Sequence, residues 1–257
     1  MQMTFYKYQA TGNDFILIDN REGLFPGEDS GLIARLCHRR FGIGADGLIL
    51  LESHDSADFR MVYFNSDGNV GSMCGNGGRC IVAFAGLLGL TGDTCRFMAV
   101  DGPHLARVEN GTVSLQMSDV TEVHATPRYL WLDTGSPHHV QLWEHWEELD
   151  VQREGRRLRY GLYGASGSNI NFVQALGGNR FRVRTYERGV EDETYSCGTG
   201  VTAVALAMHY LGKLAASPAR IDTPGGELEV RFVATGGGYS DIWLKGPAQL
   251  VFKGEWK

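Results

Sequence analysis

The chain has no uninterrupted apolar run approaching the roughly 20 residues that a helix needs to cross a bilayer, and its opening, Met1-Gln-Met-Thr-Phe-Tyr-Lys7, has no basic segment followed by an apolar stretch. A soluble cytoplasmic protein is the expectation. Positive charge is also short: 24 Lys and Arg stand against 30 Asp and Glu, giving a formal net charge of -6 and a pI near 5.7. A surface that tracks phosphates needs the opposite balance, so nucleic acid and anionic membranes are excluded as partners and small molecules or proteins remain. The five cysteines, Cys37, Cys74, Cys80, Cys95 and Cys197, include no Cys-x2-Cys pair. An odd count without that spacing fits neither a secreted disulfide framework nor a structural zinc site, and no metal is expected. No segment is of low complexity.

What is present is a repeat. Cys74 opens Cys-Gly-Asn-Gly-Gly-Arg-Cys80 and Cys197 opens Cys-Gly-Thr-Gly-Val-Thr-Ala203, and each leads into an apolar run that ends in Leu-Gly. An offset of 123 residues superposes these segments and also brings Thr11-Gly12 onto Thr134-Gly135, Tyr63 onto Tyr186, Gly77 onto Gly200 and Leu88-Gly89 onto Leu211-Gly212. Matches concentrated at glycines and cysteines point to a duplicated domain with a reactive thiol in each copy. The 257 residues, 43% hydrophobic and 11% aromatic, suffice for two domains of roughly 120 residues. The boundary is set at 1–120 for the copy carrying Cys74 and 121–257 for the copy carrying Cys197, with a linker between Ser118 and Thr126 and Pro127 at entry to the second copy.

Alternating apolar patterns bounded by Gly, Asp and Asn predict strands at Phe5–Gln9, Asp14–Asp19, Gly47–Glu52, Phe59–Asn65, Cys95–Val100 and Thr112–Met117. In the second half they fall at Arg128–Asp133, His138–Trp143, Asn169–Ala175 and Phe181–Glu187, followed by a run of strands from Ile221 to Phe252. An amphipathic helix is expected over Ser30–Arg40, and apolar helices after Cys74 and over Gly198–Leu211. A helix that is apolar all round must be buried on every side. The fold class is therefore α/β (α+β): two pseudo-symmetric domains, each a barrel-like mixed sheet around a central helix. Gly42-Ile-Gly-Ala-Asp-Gly47 matches the dinucleotide pattern Gly-x-Gly-x-x-Gly, but a helix precedes it and a strand follows, the reverse of the required order. A tight turn near the substrate is the better reading.

Each repeated cysteine stands just before a helix, beside unpaired N–H groups at the positive end of the helix dipole. That setting lowers a thiol from about 8.5 to about 3.5–7.5 and also binds carboxylates. One thiolate and one thiol facing opposite sides of an α carbon suffice to invert it, which describes a racemase or epimerase that needs no cofactor. The pyridoxal phosphate route needs a Schiff-base lysine, and the five lysines, Lys7, Lys213, Lys245, Lys253 and Lys257, lie outside any segment with the character of a site. Asn13, Asn65, His138, Asn169 and Arg188 sit at strand edges. Singly each reads as a turn or capping residue; together they supply what a zwitterionic amino acid needs.

Thr11-Gly-Asn-Asp-Phe15, Phe64-Asn-Ser-Asp-Gly68, Met73-Cys-Gly-Asn-Gly-Gly-Arg-Cys80, Tyr186-Glu-Arg-Gly189 and Ser196-Cys-Gly-Thr-Gly200 run in order along nearly the whole chain, and in them the chain resembles the diaminopimelate epimerases. The resemblance implies a cleft between two domains and interconversion of LL- and meso-diaminopimelate for lysine and peptidoglycan synthesis. It implies Cys74 and Cys197 as the acid/base pair, with His138 and Glu187 tuning them. It assigns the backbone around Gly75, Asn76, Gly198 and Thr199 to the reacting carboxylate, and Asn13, Asn65, Asn169, Glu187 and Arg188 to the rest of the substrate. Two positions depart from the pattern: Ser136 stands where many relatives have Asn, and Gly47 where some have a substrate-contacting Gln. A proline-racemase-like enzyme is the alternative within the superfamily. A redox-regulated binding protein with a Cys74–Cys197 disulfide is the alternative from another class. The partners expected are a small-molecule substrate and, at most, a second copy of the chain as a homodimer.

Overall fold

The computed structural model describes residues 2–257 as a mixed α/β protein. In chain order the elements are β1 (Met3–Ala10), β2 (Asn13–Asp19), α1 (Ser30–Cys37), β3 (Gly47–Glu52), β4 (Phe59–Asn65), α2 (Gly75–Leu87), β5 (Thr94–Ala99), β6 (Gly102–Glu109) and β7 (Thr112–Met117). They continue with β8 (His124–Ala125), β9 (Leu130–Asp133), β10 (Pro137–Leu142), α3 (Val151–Tyr163), β11 (Asn169–Gly177), β12 (Arg180–Glu187), β13 (Asp192–Thr194) and α4 (Gly198–Tyr210). The last strands are β14 (Ala219–Thr223), β15 (Gly226–Ala234), β16 (Tyr239–Pro247) and β17 (Gln249–Trp256). No helix among the described residues is long and apolar enough to cross a membrane.

Two compact units result: one comprises the chain up to Leu115 together with Gly246–Lys257, the other Gln116–Lys245. A boundary at 120/121 does not anticipate that the last strand returns to the first unit, where β17 pairs antiparallel with β1 over Met3–Gln9. Return of a strand is a long-range pairing with no local signal in the sequence.

Within each unit the strands pair in the same succession. In the first, β1–β2 is antiparallel, β2–β3 parallel, β3–β4 antiparallel, β4–β5 parallel, and β5–β6 and β6–β7 antiparallel. In the second, β9–β10 is antiparallel, β10–β11 parallel, β11–β12 antiparallel, β12–β14 parallel, and β14–β15 and β15–β16 antiparallel. The parallel crossovers carry α1 and α2 in the first unit and α3 and α4 in the second, so the duplication read from cysteines and glycines is a duplication of topology. Strand β13, paired to β12, is an addition of the second copy.

Both units are built in the same layers. Helix α2 packs on β1, β2, β3, β4 and β6, and α4 on β9, β10, β11, β12, β14 and β15. Ile81, Val82, Phe84 and Ala85 of α2, and Ala203 through Met208 of α4, are buried on every face. The opposite face of each sheet is covered by the other helix: Ile33 and Leu36 of α1 join Ile16, Leu48 and Leu50, while Val151 and Leu158 of α3 join Ile170, Phe172 and Tyr186. Residues 48–51 are consequently buried on both sides of β3, as a near-continuous apolar strand requires.

Four elements escape the sequence reading: α3, β6 and the short strands β8 and β13. Helix α3 is rich in arginine and lacks an apolar stripe wide enough to announce itself; its marks are Asp150, whose carboxylate accepts from Arg153 N, and Gly164 after its last turn. Strand β6 begins Gly102-Pro103, which reads as a turn.

Leu206 lies at the centre of the second unit's core with no exposure. Leu206→Ala is expected to lower the unfolding free energy by about 2–5 kcal/mol in a urea titration, through lost transfer energy and the cavity left behind.

Candidate active site

Cys74 and Cys197 hold the same local position, each the N-cap residue of its 13-residue helix with an extended backbone. The glycines that follow are needed for close approach. A Cβ on Gly77 would stand 3.0 Å from Ile49 Cδ1, and one on Gly200 would meet Asn171 Oδ1 at 2.6 Å and the His138 ring at 3.3 Å. Both cysteines are half-buried. The other cysteines are enclosed thiols of a different kind: burial pushes Cys37 and Cys95 up to about 12 and drives Cys80 upward as well.

In the first unit Asn13, the first residue of β2, reaches the Cys74 motif: its Oδ1 lies 3.7 Å from Cys74 Sγ and accepts from Asn76 Nδ2 at 3.2 Å. Asn76 Oδ1 in turn accepts from Arg79 Nη2 at 2.8 Å. Arg79 is fully buried, also donating to Thr11 Oγ1 and to the Gly75 carbonyl, and burial draws it down to about 10. On its other side Asn13 Nδ2 donates to Asp46 Oδ2 at 2.6 Å. Asp46 and Asp14 share Arg39, and Asp14 also pairs with Lys7 at 2.7 Å. Burial opposes ionisation of Asp14, but the hydrogen bonds from Arg39 and Lys7 outweigh it and hold the carboxyl at about 2. Asp46 closes the Gly42–Gly47 loop, so that loop supports Asn13. Asn65 ends β4, exposed, opposite Gly47 of β3.

In the second unit His138 on β10 is fully buried; its Nε2 lies 2.9 Å from Thr199 Oγ1, which is 3.4 Å from Cys197 Sγ. His138 Nδ1 faces Asn171 Nδ2 at 3.1 Å, and Asn171 Oδ1 accepts from Thr185 Oγ1 at 3.0 Å. Burial, aided by the charge of Arg188, pulls His138 down to about 3. Asn169 binds Ser136 Oγ and the Pro137 carbonyl through Nδ2, and its Oδ1 accepts from the Arg188 backbone N–H at 2.9 Å. Glu187 accepts from Thr194 Oγ1 at 2.8 Å. Arg188 donates to the Ser166 carbonyl and lines a cavity of about 500 Å³ with Tyr129, Trp131, Asp133, Pro137 and Tyr163.

The two departures noted in the sequence have physical answers. Ser136 takes up the Asn169 amide. At Gly47 a Cβ would collide with the Tyr63 ring and with the Phe64 carbonyl at 2.6 Å, so a glutamine has no room there.

Sequence reasoning missed Arg79, Asp46, Asn171 and Thr185, and saw in Thr199 only its backbone. Asn171 carried a signal: two residues beyond Asn169 in one strand, it shares a face with it. Arg79 lies one turn beyond Asn76 in the cysteine motif itself. Among the described residues no cluster of His, Cys, Asp and Glu is arranged to hold a metal ion.

The protein-family model of diaminopimelate epimerase matches residues 5–125 and 130–251. The diaminopimelate epimerase of Flavobacterium psychrophilum is 55% identical over 253 residues, covering 98% of this chain and 99% of that one. That of Chlorobaculum tepidum is 44% identical, covering 95% and 98%. Among solved structures, a PhzF-family phenazine biosynthesis protein of Bacillus anthracis superposes with a TM-score of 0.78 at 14% identity, covering 100% of this chain and 99% of that one. A probable proline racemase of Agrobacterium radiobacter gives 0.68 at 15%, covering 99% and 93%. At such identities these two share the fold.

Because His138 is held neutral, its unfolded form binds a proton that the folded form refuses. Its contribution to stability is therefore complete above the ordinary value of about 6.5 and is lost as pH falls toward about 3. His138→Gln should flatten the decline of urea stability between about pH 6.5 and pH 4 relative to the native chain, measured at matched ionic strength.

Proposed function

The chain belongs to the diaminopimelate epimerase family, and from that premise we propose that Cys74 and Cys197 are its acid/base pair, interconverting LL- and meso-diaminopimelate without a cofactor for lysine and peptidoglycan synthesis. The observation that carries the reading is the repetition of one thiol setting, an N-cap cysteine before Gly-x-Gly and a largely buried helix, in two units of one topology. In each direction one thiolate takes the α proton, the electron pair of the broken C–H bond passes onto the α carbon and its carboxylate, and the other thiol gives its proton to the opposite face. The first-turn N–H groups beginning at Gly75, Asn76, Gly198 and Thr199 are donors for that carboxylate as charge builds on it.

The second amino-acid terminus of the substrate is assigned to Asn13, Asn65, Asn169, Glu187 and Arg188. Arg188, whose guanidinium borders the aromatic-lined cavity, takes the distal carboxylate. We read the protein as a cytoplasmic enzyme acting on a small molecule, with a second copy of the chain as the one macromolecular partner the reading admits.

A coupled assay with LL-diaminopimelate tests the reaction. Cys74→Ser and Cys197→Ser should each fold and lose about 10²–10⁴-fold in kcat, whereas Cys37→Ser and Cys95→Ser retain turnover. Near-normal turnover by either of the first two would rule out the pair.

The native rate should follow a bell in pH, since one thiol must be ionised while the other is protonated. Lysine and proline, which lack the distal carboxylate, should each fall more than tenfold below diaminopimelate in kcat/KM, because neither offers the Arg188 guanidinium a second carboxylate to bind.

A further inference from the structure

The two cysteine motifs are nearly the same, but their third residues differ, Asn76 in one and Thr199 in the other. That difference ties each sulfur to a hydrogen-bond chain of defined direction. We propose that these chains polarise the resting pair in opposite senses, so that the empty protein holds Cys197 as the thiolate and Cys74 as the thiol, with Thr199, Asn171 and Asp46 as positioning residues.

On the Cys197 side the direction starts at a backbone carbonyl. Asn171 Nδ2 lies 2.9 Å from the His139 carbonyl oxygen, which can only accept, so this atom is the amide nitrogen. The same nitrogen faces His138 Nδ1 at 3.1 Å, which makes Nδ1 the acceptor. A neutral imidazole then carries its one proton on Nε2 and donates it to Thr199 Oγ1 at 2.9 Å. The Thr199 hydroxyl, having accepted from the imidazole, has its own proton for Cys197 Sγ at 3.4 Å. A donor aimed at sulfur favours the thiolate.

On the Cys74 side both ends of the chain are charged. The Arg79 guanidinium can only donate, so the Asn76 atom 2.8 Å from it is the oxygen, and Asn76 turns its amide nitrogen to Asn13. The Asp46 carboxylate can only accept, so the Asn13 atom 2.6 Å from it is the nitrogen. Each end independently leaves Asn13 Oδ1 facing Cys74 Sγ, and an acceptor there favours S–H.

The surrounding charges do not all act in this sense. Arg79, whose N–H groups are directed onto the neutral oxygens of Gly75, Asn76, Thr11 and Pro247, keeps its charge and attracts a Cys74 thiolate, against which the hydrogen bonds at the two sulfurs act. Behind Asn13, Lys7 and Arg39 are matched by Asp14 and Asp46. Near Cys197 the charge of Arg188 acts on His138 in the sense that keeps the ring neutral, and the Glu187 carboxylate is engaged by Thr194. Each thiol also stands at a helix N-terminus, a contribution common to both.

The proposal rests on the epimerase reading, and its test is separable from that reading. The native full-length chain is alkylated with iodoacetamide to low extent across a pH series, and labelling at Cys74 and Cys197 is counted by peptide mass spectrometry. The midpoint for Cys197 should lie at least about one pH unit below that for Cys74, the equivalent of a tenfold preference in ionisation. Thr199→Val should raise the Cys197 midpoint and leave that of Cys74 in place, while Thr199→Ser, which keeps the hydroxyl, should restore it. Asp46→Ala removes the acceptor that holds the Asn13 amide nitrogen, so one of the two restraints on Asn13 is lost and the Cys74 midpoint should fall. Equal midpoints, a lower midpoint for Cys74, or no response to Thr199→Val would overturn the assignment. Should Thr199→Val fail to fold, the order in the native chain decides alone. Turnover of diaminopimelate with Cys74 the more acidic thiol sinks the assignment and leaves the reaction standing; no turnover with Cys197 the more acidic does the reverse.

Discussion

A helix that is apolar on every face is stable only where strands enclose it, and enclosure dictates what happens at its first turn. Four backbone N–H groups there have no partner within the helix. Both central helices carry at this end a cysteine whose side chain makes no capping hydrogen bond, with glycine behind it. Glycines in a first turn each sacrifice roughly 0.5–1 kcal/mol of helix stability, whereas burying a side chain such as Ile81, Val82 or Phe84 contributes about 1.5–3 kcal/mol. The core thus tolerates an opening where donors point outward beside a sulfur. Thiol position and anion-binding capacity are in this sense products of how the core is closed.

The polar groups around these helix ends obey the same economy. His138, Asn171, Thr185 and Arg79 are buried, and each carries a charge or dipole that would cost about 1–3 kcal/mol if left unmatched. They are matched in chains: Thr185 to Asn171, Asn171 to His138, His138 to Thr199, and Arg79 to Asn76 and on to Asn13. Burial that pulls His138 down to about 3 removes it as a proton acceptor near neutral pH and leaves it as a conductor of hydrogen-bond direction. In the proposed arrangement, the tuning ascribed to His138 by resemblance operates through the Thr199 hydroxyl, without transfer of a proton to the ring.

Much of this was legible in the residues because the decisive features are local. Cys74-Gly-Asn-Gly and Cys197-Gly-Thr-Gly announce helix starts, all-round apolarity announces enclosure, and strand bounds follow from a continuous apolar run at Gly47–Glu52 and from alternation at Thr112–Met117. What stayed hidden depends on contacts between distant segments. Arg79 reads as an ordinary helix residue until Thr11, Asn76 and the Pro247 carbonyl are seen around it, and Asp46 reads as a turn residue until Asn13 and Arg39 meet it. Helix α3 was missed because arginines fill it and only Val151, Gly155, Leu158 and Arg159 are buried. Asymmetry of the two sites lay in plain view as Asn76 against Thr199, but its meaning requires knowing which atom each side chain touches.

Duplication supplies two thiols, and perfect duplication would be a handicap. Two identical settings would share a single ionisation without preference, so the productive arrangement of one thiolate and one thiol would be split between two equal forms. Proton transfer across a substrate leaves the pair with its protonation reversed, and the starting arrangement returns only by exchange with water or by the opposite reaction. An environment that ranks the two sulfurs biases that return. The ranking comes from what meets each sulfur, where a helix dipole common to both copies cannot discriminate: the Asn13 amide, turned oxygen-first by Asn76 and Asp46, on one side, and the Thr199 hydroxyl, turned hydrogen-first by a neutral histidine, on the other. A duplicated topology thus acquires direction through side chains that reverse a hydrogen bond.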